Sequence, residues 1–216
     1  MTKRIPPKRS YNSTRRQAQA RETRRQITEA ARRLFSRYGY GGTTIDAIAR
    51  EAGVAPETVY AAFGSKRKIL SHLVDVSVGG DDQPVRLLDR PEPQAVLQIA
   101  DPQRQIEMFA RGITDILVRV APVFEVVRSA AKTEPDISVL LKHLLKERLE
   151  NMTIFAAHVA EHGGLREGMD ISKAADTVWT MTSPEVFTLL TQDLNYSPDQ
   201  FVEWLALALK RLLLPS

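Results

Sequence analysis

One string in the chain has the spacing of a metal site. His158-Val159-Ala160-Glu161-His162 puts two imidazoles four residues apart with a carboxylate between them. On a helix both rings share one face and can chelate zinc, the logic of the H-x-x-E-H protease motif. That chemistry needs a third ligand from a second helical motif, and none of the 54 residues after His162 supplies one. Gly163-Gly164 end the helix at once, where a histidine is favoured simply by the helix dipole. No metal site, no cofactor and no enzymatic activity are therefore expected. His72 and His143 lack a serine or cysteine partner pattern, and the chain has no cysteine at all. Disulfides, thiolate zinc sites, iron–sulfur clusters and cysteine nucleophiles are excluded. Asn12-Ser13-Thr14 and Asn151-Met152-Thr153 fit glycosylation sequons, but no apolar segment near the start reads as a secretory signal.

Charge is the more informative chemistry. Residues 1–70 hold 16 Lys and Arg against 5 Asp and Glu, whereas residues 71–216 hold 14 against 21. A basic first third on an acidic remainder points to two modules, one of which meets a polyanion. Nucleic acid is the first such partner and an anionic membrane surface the second; a solvated basic tail is the bland alternative. No apolar run of about 18 residues exists to cross a membrane, so a cytoplasmic protein with no membrane partner is expected. The 216 residues, 43% hydrophobic and 26% charged, suffice for one or two globular domains.

The elements that position the basic residues are all helical. Residues 1–13 read as an arm, and the domain limits are placed at 1–20 for a flexible basic arm, 21–70 for the basic domain and 71–216 for the remainder. Ile27, Ala30, Ala31, Leu34, Phe35 and Tyr38 follow the i, i+3, i+4 rule, with Ser13 or Thr14 as N-cap and Gly39 as the stop. Arg24, Arg25, Arg32 and Arg33 lie off that stripe. Thr43 or Thr44 caps a short helix carrying Ile45, Ile48, Ala49 and Ala52. Gly53 breaks it, and Pro56 opens the next helix with Val59, Tyr60 and Phe63 at core spacing. Ser65 caps a fourth helix with Ile69, Leu70, Leu73 and Val74. After a Gly-, Pro- and Asp-rich stretch at 79–93, helices are expected at 94–100, 102–120, 122–132, 135–162, 172–194 and 198–213. Pro122 and Pro135 read as helix starts, and Ser183-Pro184 as a break. No strand-like alternation is present, so the fold class is all-α.

Two short helices around a glycine turn, 44–52 and 55–63, form a helix-turn-helix pattern, whose second helix can enter a major groove N-terminus first. Thr43 and Thr44 stand where a helix N-terminus can face a phosphate. Ala55, Pro56, Glu57 and Thr58 form the exposed start of the second helix. Glu57 reads either as an acceptor for a cytosine amine or as a first-turn acid favouring the dipole; Thr58 can touch a phosphate or a thymine methyl. Arg15, Arg16 and Arg21 can reach phosphates or a minor groove.

From Arg24 to Leu70 the sequence resembles the helix-turn-helix domain of the TetR family of bacterial transcriptional regulators. The residues that carry the likeness are Ala30-Ala31-Arg32-Arg33-Leu34-Phe35, Gly39-Tyr40, Thr43-Thr44-Ile45, Ile48-Ala49, Ala52-Gly53-Val54, Thr58-Val59-Tyr60, Phe63, Lys66 and Leu70. The resemblance implies an N-terminal three-helix helix-turn-helix domain and a C-terminal helical regulatory and dimerisation bundle. It implies double-stranded DNA with a palindromic operator, a homodimer formed through the last two helices, an unknown small-molecule effector, and repression relieved by that effector. Tyr60 and Lys66 match family residues that reach backbone phosphates. The chain departs from the family at Ala55, often Ser, and at Ala61-Ala62, often aromatic or His. The competing reading is a helical scaffold that binds nucleic acid without sequence choice.

In the second module Phe109, Ile113, Phe124, Met152, Phe155 and Trp179 are large and apolar; they either fill the core or line a cavity between helices. The last helix carries Trp204, Leu205, Leu207, Ala208, Leu212 and Leu213 nearly all round. A dimer interface, with Leu190, accounts for that, and so does a central core position.

Overall fold

The computed structural model describes residues 11–215, with side chains from Arg15 onward. Of the described residues 79% are helical, and none of them lies in a strand. Its helices are α1 (Tyr11–Tyr38), α2 (Ile45–Ala52), α3 (Pro56–Phe63), α4 (Lys66–Gly79), α5 (Pro91–Leu97), α6 (Pro102–Ala130), α7 (Pro135–Gly163), α8 (Ile171–Met181), α9 (Pro184–Thr188) and α10 (Pro198–Leu213). A π-type turn, Leu189–Asp193, continues α9. Two compact units result, Met1–Ile69 and Leu70–Ser216. Helix α4 begins in the first and ends in the second.

In the first unit Ile27, Ala30, Ala31 and Phe35 of α1 meet Ile48 and Ala49 of α2 and Val59 and Phe63 of α3 in a core from which water is excluded. Tyr40, not Tyr38, completes the aromatic corner: its ring lies 5.6 Å from Phe35, whereas Tyr38 is exposed. The helix ends follow from their residues. Thr44 caps α2 by accepting from the Ala47 amide at 3.1 Å. Gly53 ends it at φ +69°, its amide donating to Arg50 O and that of Val54 to Ala49 O. This Schellman closure needs a left-handed residue, which glycine supplies without a Cβ clash.

The first-unit boundaries differ from the sequence reading in one respect. The flexible arm placed at 1–20 lies outside the described residues over 1–10, and from Tyr11 onward the backbone is already helical. Ser13 and Thr14 therefore fall inside α1 rather than capping it.

The second unit is a helical bundle. α7 packs on α8, and α6 packs on α7, α9 and α10. Ile106, Ala110, Leu117, Val127, Ile137, Ala156, Val159, Val178, Phe201 and Leu209 form its interior. Pro122 does not start a helix as its type suggested; it sits exposed inside a continuous α6. The proline removes one intrahelical bond, but buried Val120, Ala121, Val123 and Phe124 on either side hold the helix together. Ser183-Pro184 does break the chain, with the Ser183 side chain capping α9.

Candidate nucleic-acid interface and ligand cavity

Helix α3 divides cleanly into two faces. Val59 and Phe63 are buried, while Ala55, Glu57, Tyr60 and Ala61 are exposed, with Pro56 and Thr58 half-buried. Ala55 is an extended N-cap without a side-chain bond, and Pro56 occupies the first turn. The leading end of α3 thus stands outward with a carboxylate, a hydroxyl and a phenol, the last 54% exposed. Arg24 fastens the other end: its guanidinium donates to Ala62 O and lies 4.1 Å over the Phe63 ring. Sequence reasoning placed Arg24 on the outer surface of α1 and missed this clamp, since only the fold brings Arg24 to Phe63.

The two threonines part company. Thr44 is exposed at the α2 N-terminus, where unpaired amides and a capping hydroxyl favour an anion. Thr43, expected beside it, is 1% exposed, and its hydroxyl donates to Gly39 O at 2.8 Å. It closes the α1–α2 turn and cannot offer that hydroxyl to a phosphate.

Lys66 is also committed within the protein. Its Nζ donates to Tyr40 O at 2.8 Å and Thr43 O at 2.9 Å, and it lies 4.1 Å from the Tyr40 ring centroid. The ammonium holds the carbonyls that end the α1–α2 turn, so the phosphate role drawn from the resemblance meets a side chain already engaged. Lys68, one turn-edge further on, is exposed; the Lys-Arg-Lys run at 66–68 was the only sequence signal for it. Arg15, Arg16 and Arg21 are exposed along α1. Arg25 is paired with Glu22 at 2.7 Å, and that hydrogen bond holds the Glu22 carboxyl below its usual range. Arg33 is paired with Glu51 at 2.9 Å.

In the second unit a partly open cavity of about 790 Å³ is lined by Phe109, Ile113, Met152 and Phe155 among others. Phe109 and Phe155 stack at 3.8 Å between centroids. Two residues expected there do not line it. Phe124 is buried in the core, and the Trp179 ring lies 4.8 Å from the Arg148 guanidinium. Arg148 also donates to Thr182 Oγ1 at 3.0 Å, and burial pulls its pKa down to about 10. The cavity's charged lining, Arg90 and Arg119 included, was not anticipated.

The last helix resolves its ambiguity by stripes. Phe201, Leu205, Leu209 and Leu213 are buried within the protomer. Leu205, and likewise Leu190 at 8% exposure, therefore belong to the chain's own core and not to a dimer interface. Trp204 and Ala208 are half-buried, and Leu207 and Leu212 exposed. Among the described residues the one three-residue group able to hold a metal is His158, Glu161 and His162, whose ligand atoms lie within 4.8 Å of one another. Glu161 and His162 are exposed, and all three come from one helix turn of α7.

Residues 27–73 match the model of bacterial regulatory proteins, tetR family. Over this stretch the first unit is similar to the TetR family. HbdR, an HTH-type transcriptional regulator from Aromatoleum sp. (strain CIB), is 53% identical over 49 residues, 23% of this chain and 21% of that protein. The uncharacterized HTH-type regulator YfiR of Bacillus subtilis is 30% identical over 131 residues, 59% of this chain and 62% of that one. The aligned stretches thus span about a fifth of HbdR and three-fifths of YfiR. Two solved structures share the whole fold. NalD, the secondary repressor of the MexAB-OprM efflux pump in Pseudomonas aeruginosa, is 18% identical with a TM-score of 0.69 over 91% of this chain and 98% of that one. FadR of Bacillus subtilis in complex with stearoyl-CoA is 21% identical with a TM-score of 0.68 over 85% and 96%. These relatives are named as regulators, not enzymes. No described helix is long and apolar enough to cross a membrane.

Proposed function

We propose that the protein is a ligand-responsive transcriptional regulator, a repressor that binds a palindromic DNA operator as a homodimer. The observation that carries this reading is α3: a helix anchored by Val59, Phe63 and Arg24 whose leading end presents Ala55, Glu57, Thr58 and Tyr60 outward. Such a helix enters the major groove and reads base edges through its first turns. Thr44, Lys68, Arg15, Arg16 and Arg21 supply phosphate contacts around it, which position the helix and give the salt dependence. With alanines at 55, 61 and 62, direct base reading falls to Glu57 and Thr58.

A second copy covers the Trp204, Leu207, Ala208 and Leu212 stripe of α10, the face that the protomer's own core leaves open. A small-molecule effector occupies the cavity beside Phe109, Ile113, Met152 and Phe155. An effector with a long apolar part, like the stearoyl-CoA found in complex with FadR, suits that lining.

Selection of bound duplexes from a random pool tests the reading. A regulator prefers one palindrome over random duplex by about 10³-fold or more. Equal, salt-dependent affinity for every duplex would instead establish the non-specific scaffold.

A further inference from the structure

The cavity wall carries two guanidiniums whose donors are only partly used. Arg119 of α6 donates from Nε to Ser77 O at 3.0 Å and from Nη2 to Val78 O at 3.4 Å. These are carbonyls of the last turn of α4, which have no helical amide to accept from. Its Nη1 has no hydrogen-bond partner among the described residues and is not buried. Arg90, just before α5, forks onto Asp81 at 2.8 and 3.0 Å, and that pairing draws the Asp81 pKa down to about 2. The fork uses Nη1 and Nη2. Arg90 Nε is buried and has no acceptor, in keeping with a side chain only 14% exposed.

The two arginines flank consecutive residues. A Cβ on Gly79 would sit 2.6 Å from Arg90 Nη2, and one on Gly80 would sit 3.6 Å from Arg119 Nη2. Both positive groups therefore stand beside the end of α4, and both line the cavity with the Phe109–Phe155 stack, Ile113 and Met152. Buried N–H groups without acceptors cost free energy, and a charged donor gains most from an anionic acceptor. Three carboxylates also line the cavity. Asp81 is spent on Arg90, and Glu92 and Asp115 are exposed.

We propose that the cavity takes a linear apolar chain ending in an acidic group, with the chain along Phe109, Ile113, Met152 and Phe155 and the acid on Arg119 and Arg90. The acid and the α4 carbonyls of Ser77 and Val78 then share the Arg119 guanidinium. A free carboxylate and the phosphates of a coenzyme A thioester present the same acceptor chemistry. About 790 Å³ falls inside the roughly 300–1,000 Å³ of ordinary ligand pockets, enough for the chain and its head. The inference rests on the regulator reading only in calling this ligand an effector.

Calorimetric titration of the full chain without DNA tests it, using dodecanoate, dodecanoyl-CoA, 1-dodecanol and dodecylammonium below their micelle concentrations. At least one of the two acids should bind tenfold or more tighter than the alcohol, and which one does so tells carboxylate from thioester phosphate. Arg119→Gln and Arg90→Gln should each remove most of that advantage while leaving 1-dodecanol binding unchanged. Equal binding of acid and alcohol, tightest binding of the ammonium, or no binding of any of the four would overturn the proposal. The ranking on the unmodified chain stands even where a variant fails to fold. A failure of the regulator reading would show in duplex selection and not in this titration.

Discussion

Replacing Lys66 with Met keeps the apolar stem and deletes the ammonium. That group donates to Tyr40 O and Thr43 O at 2.8 and 2.9 Å and faces the Tyr40 ring. Hydrogen bonds from a charged donor contribute about 1.5–3 kcal/mol each, and a cation–π contact about 0.5–2 kcal/mol. Groups that share one ammonium are not additive, and the side chain is half-buried, so the whole loss is about 2–4 kcal/mol. The carbonyls belong to the turn that leads into α2, so the damage should be local to residues 40–52. By amide hydrogen exchange, protection of the α2 amides should fall about 30-fold or more, the equivalent of about 2 kcal/mol, while that of α10 stays put. The salt dependence of duplex binding should keep its slope, because no phosphate contact is removed. Lys68→Met should do the reverse: unchanged exchange, and a slope flatter by about one unit. A Lys66→Met protein with intact α2 protection and a flatter slope would refute the clamp and put the Lys66 ammonium on a phosphate.

Gly42→Ala should cost about 1–3 kcal/mol in urea denaturation, since a Cβ there collides with the Tyr38 carbonyl, whereas Gly41→Ala, with open space around it, should be close to neutral. Leu207→Asp should turn a dimer into a monomer in sedimentation at micromolar concentration, because Leu207 is 50% exposed on the open stripe of α10; Leu205→Asp should unfold the protomer instead, as Leu205 is fully buried. The Asp81–Arg90 pair has an acid limb: the hydrogen bond from Arg90 holds the carboxyl at about 2, below its ordinary 3.8. A depressed pKa gives stability that is complete above about pH 5 and fades as pH falls towards 2. The urea midpoints of the native chain and Asp81→Asn should therefore differ by a constant amount above about pH 5 and converge below it.

Most helices were legible because their ends are written in local chemistry. Gly53 in a left-handed turn, Thr44 accepting from Ala47, and Ser183 ahead of Pro184 each act over three or four residues, the range that spacing can see. Pro122 was misread for the complementary reason. Its local signal favours a helix start, and only the burial of Val120, Ala121, Val123 and Phe124 shows the helix continuing through it. On α3 the outward places of Ala55 and Glu57 follow from Val59 and Phe63 pointing inward, but Tyr60, which shares their core spacing, is 54% exposed, and only the resemblance set it on the outer face. Thr43 and Lys66 could not: hydroxyl and ammonium are the groups a phosphate wants, and equally the groups a turn full of free carbonyls wants. Residue type does not decide between them, and the distances to Gly39 O, Tyr40 O and Thr43 O do.

The cavity shows the same limit more sharply. Its apolar lining was half-anticipated, since Phe109, Ile113, Met152 and Phe155 are large residues on α6 and α7. Nothing in the spacing of Arg90 and Arg119 relates them to each other or to that lining. What joins them is Gly79-Gly80, which as sequence says only that a helix stops. In the fold the pair leaves the space into which both guanidiniums fit, one against each glycine. A side chain at 79 would displace Arg90 from beside the end of α4, and with it the Asp81 fork. The two glycines thus do more than end α4, because they set how closely positive charge approaches the cavity, and Gly79→Ala should weaken acid binding there with Arg90 and Arg119 both still present.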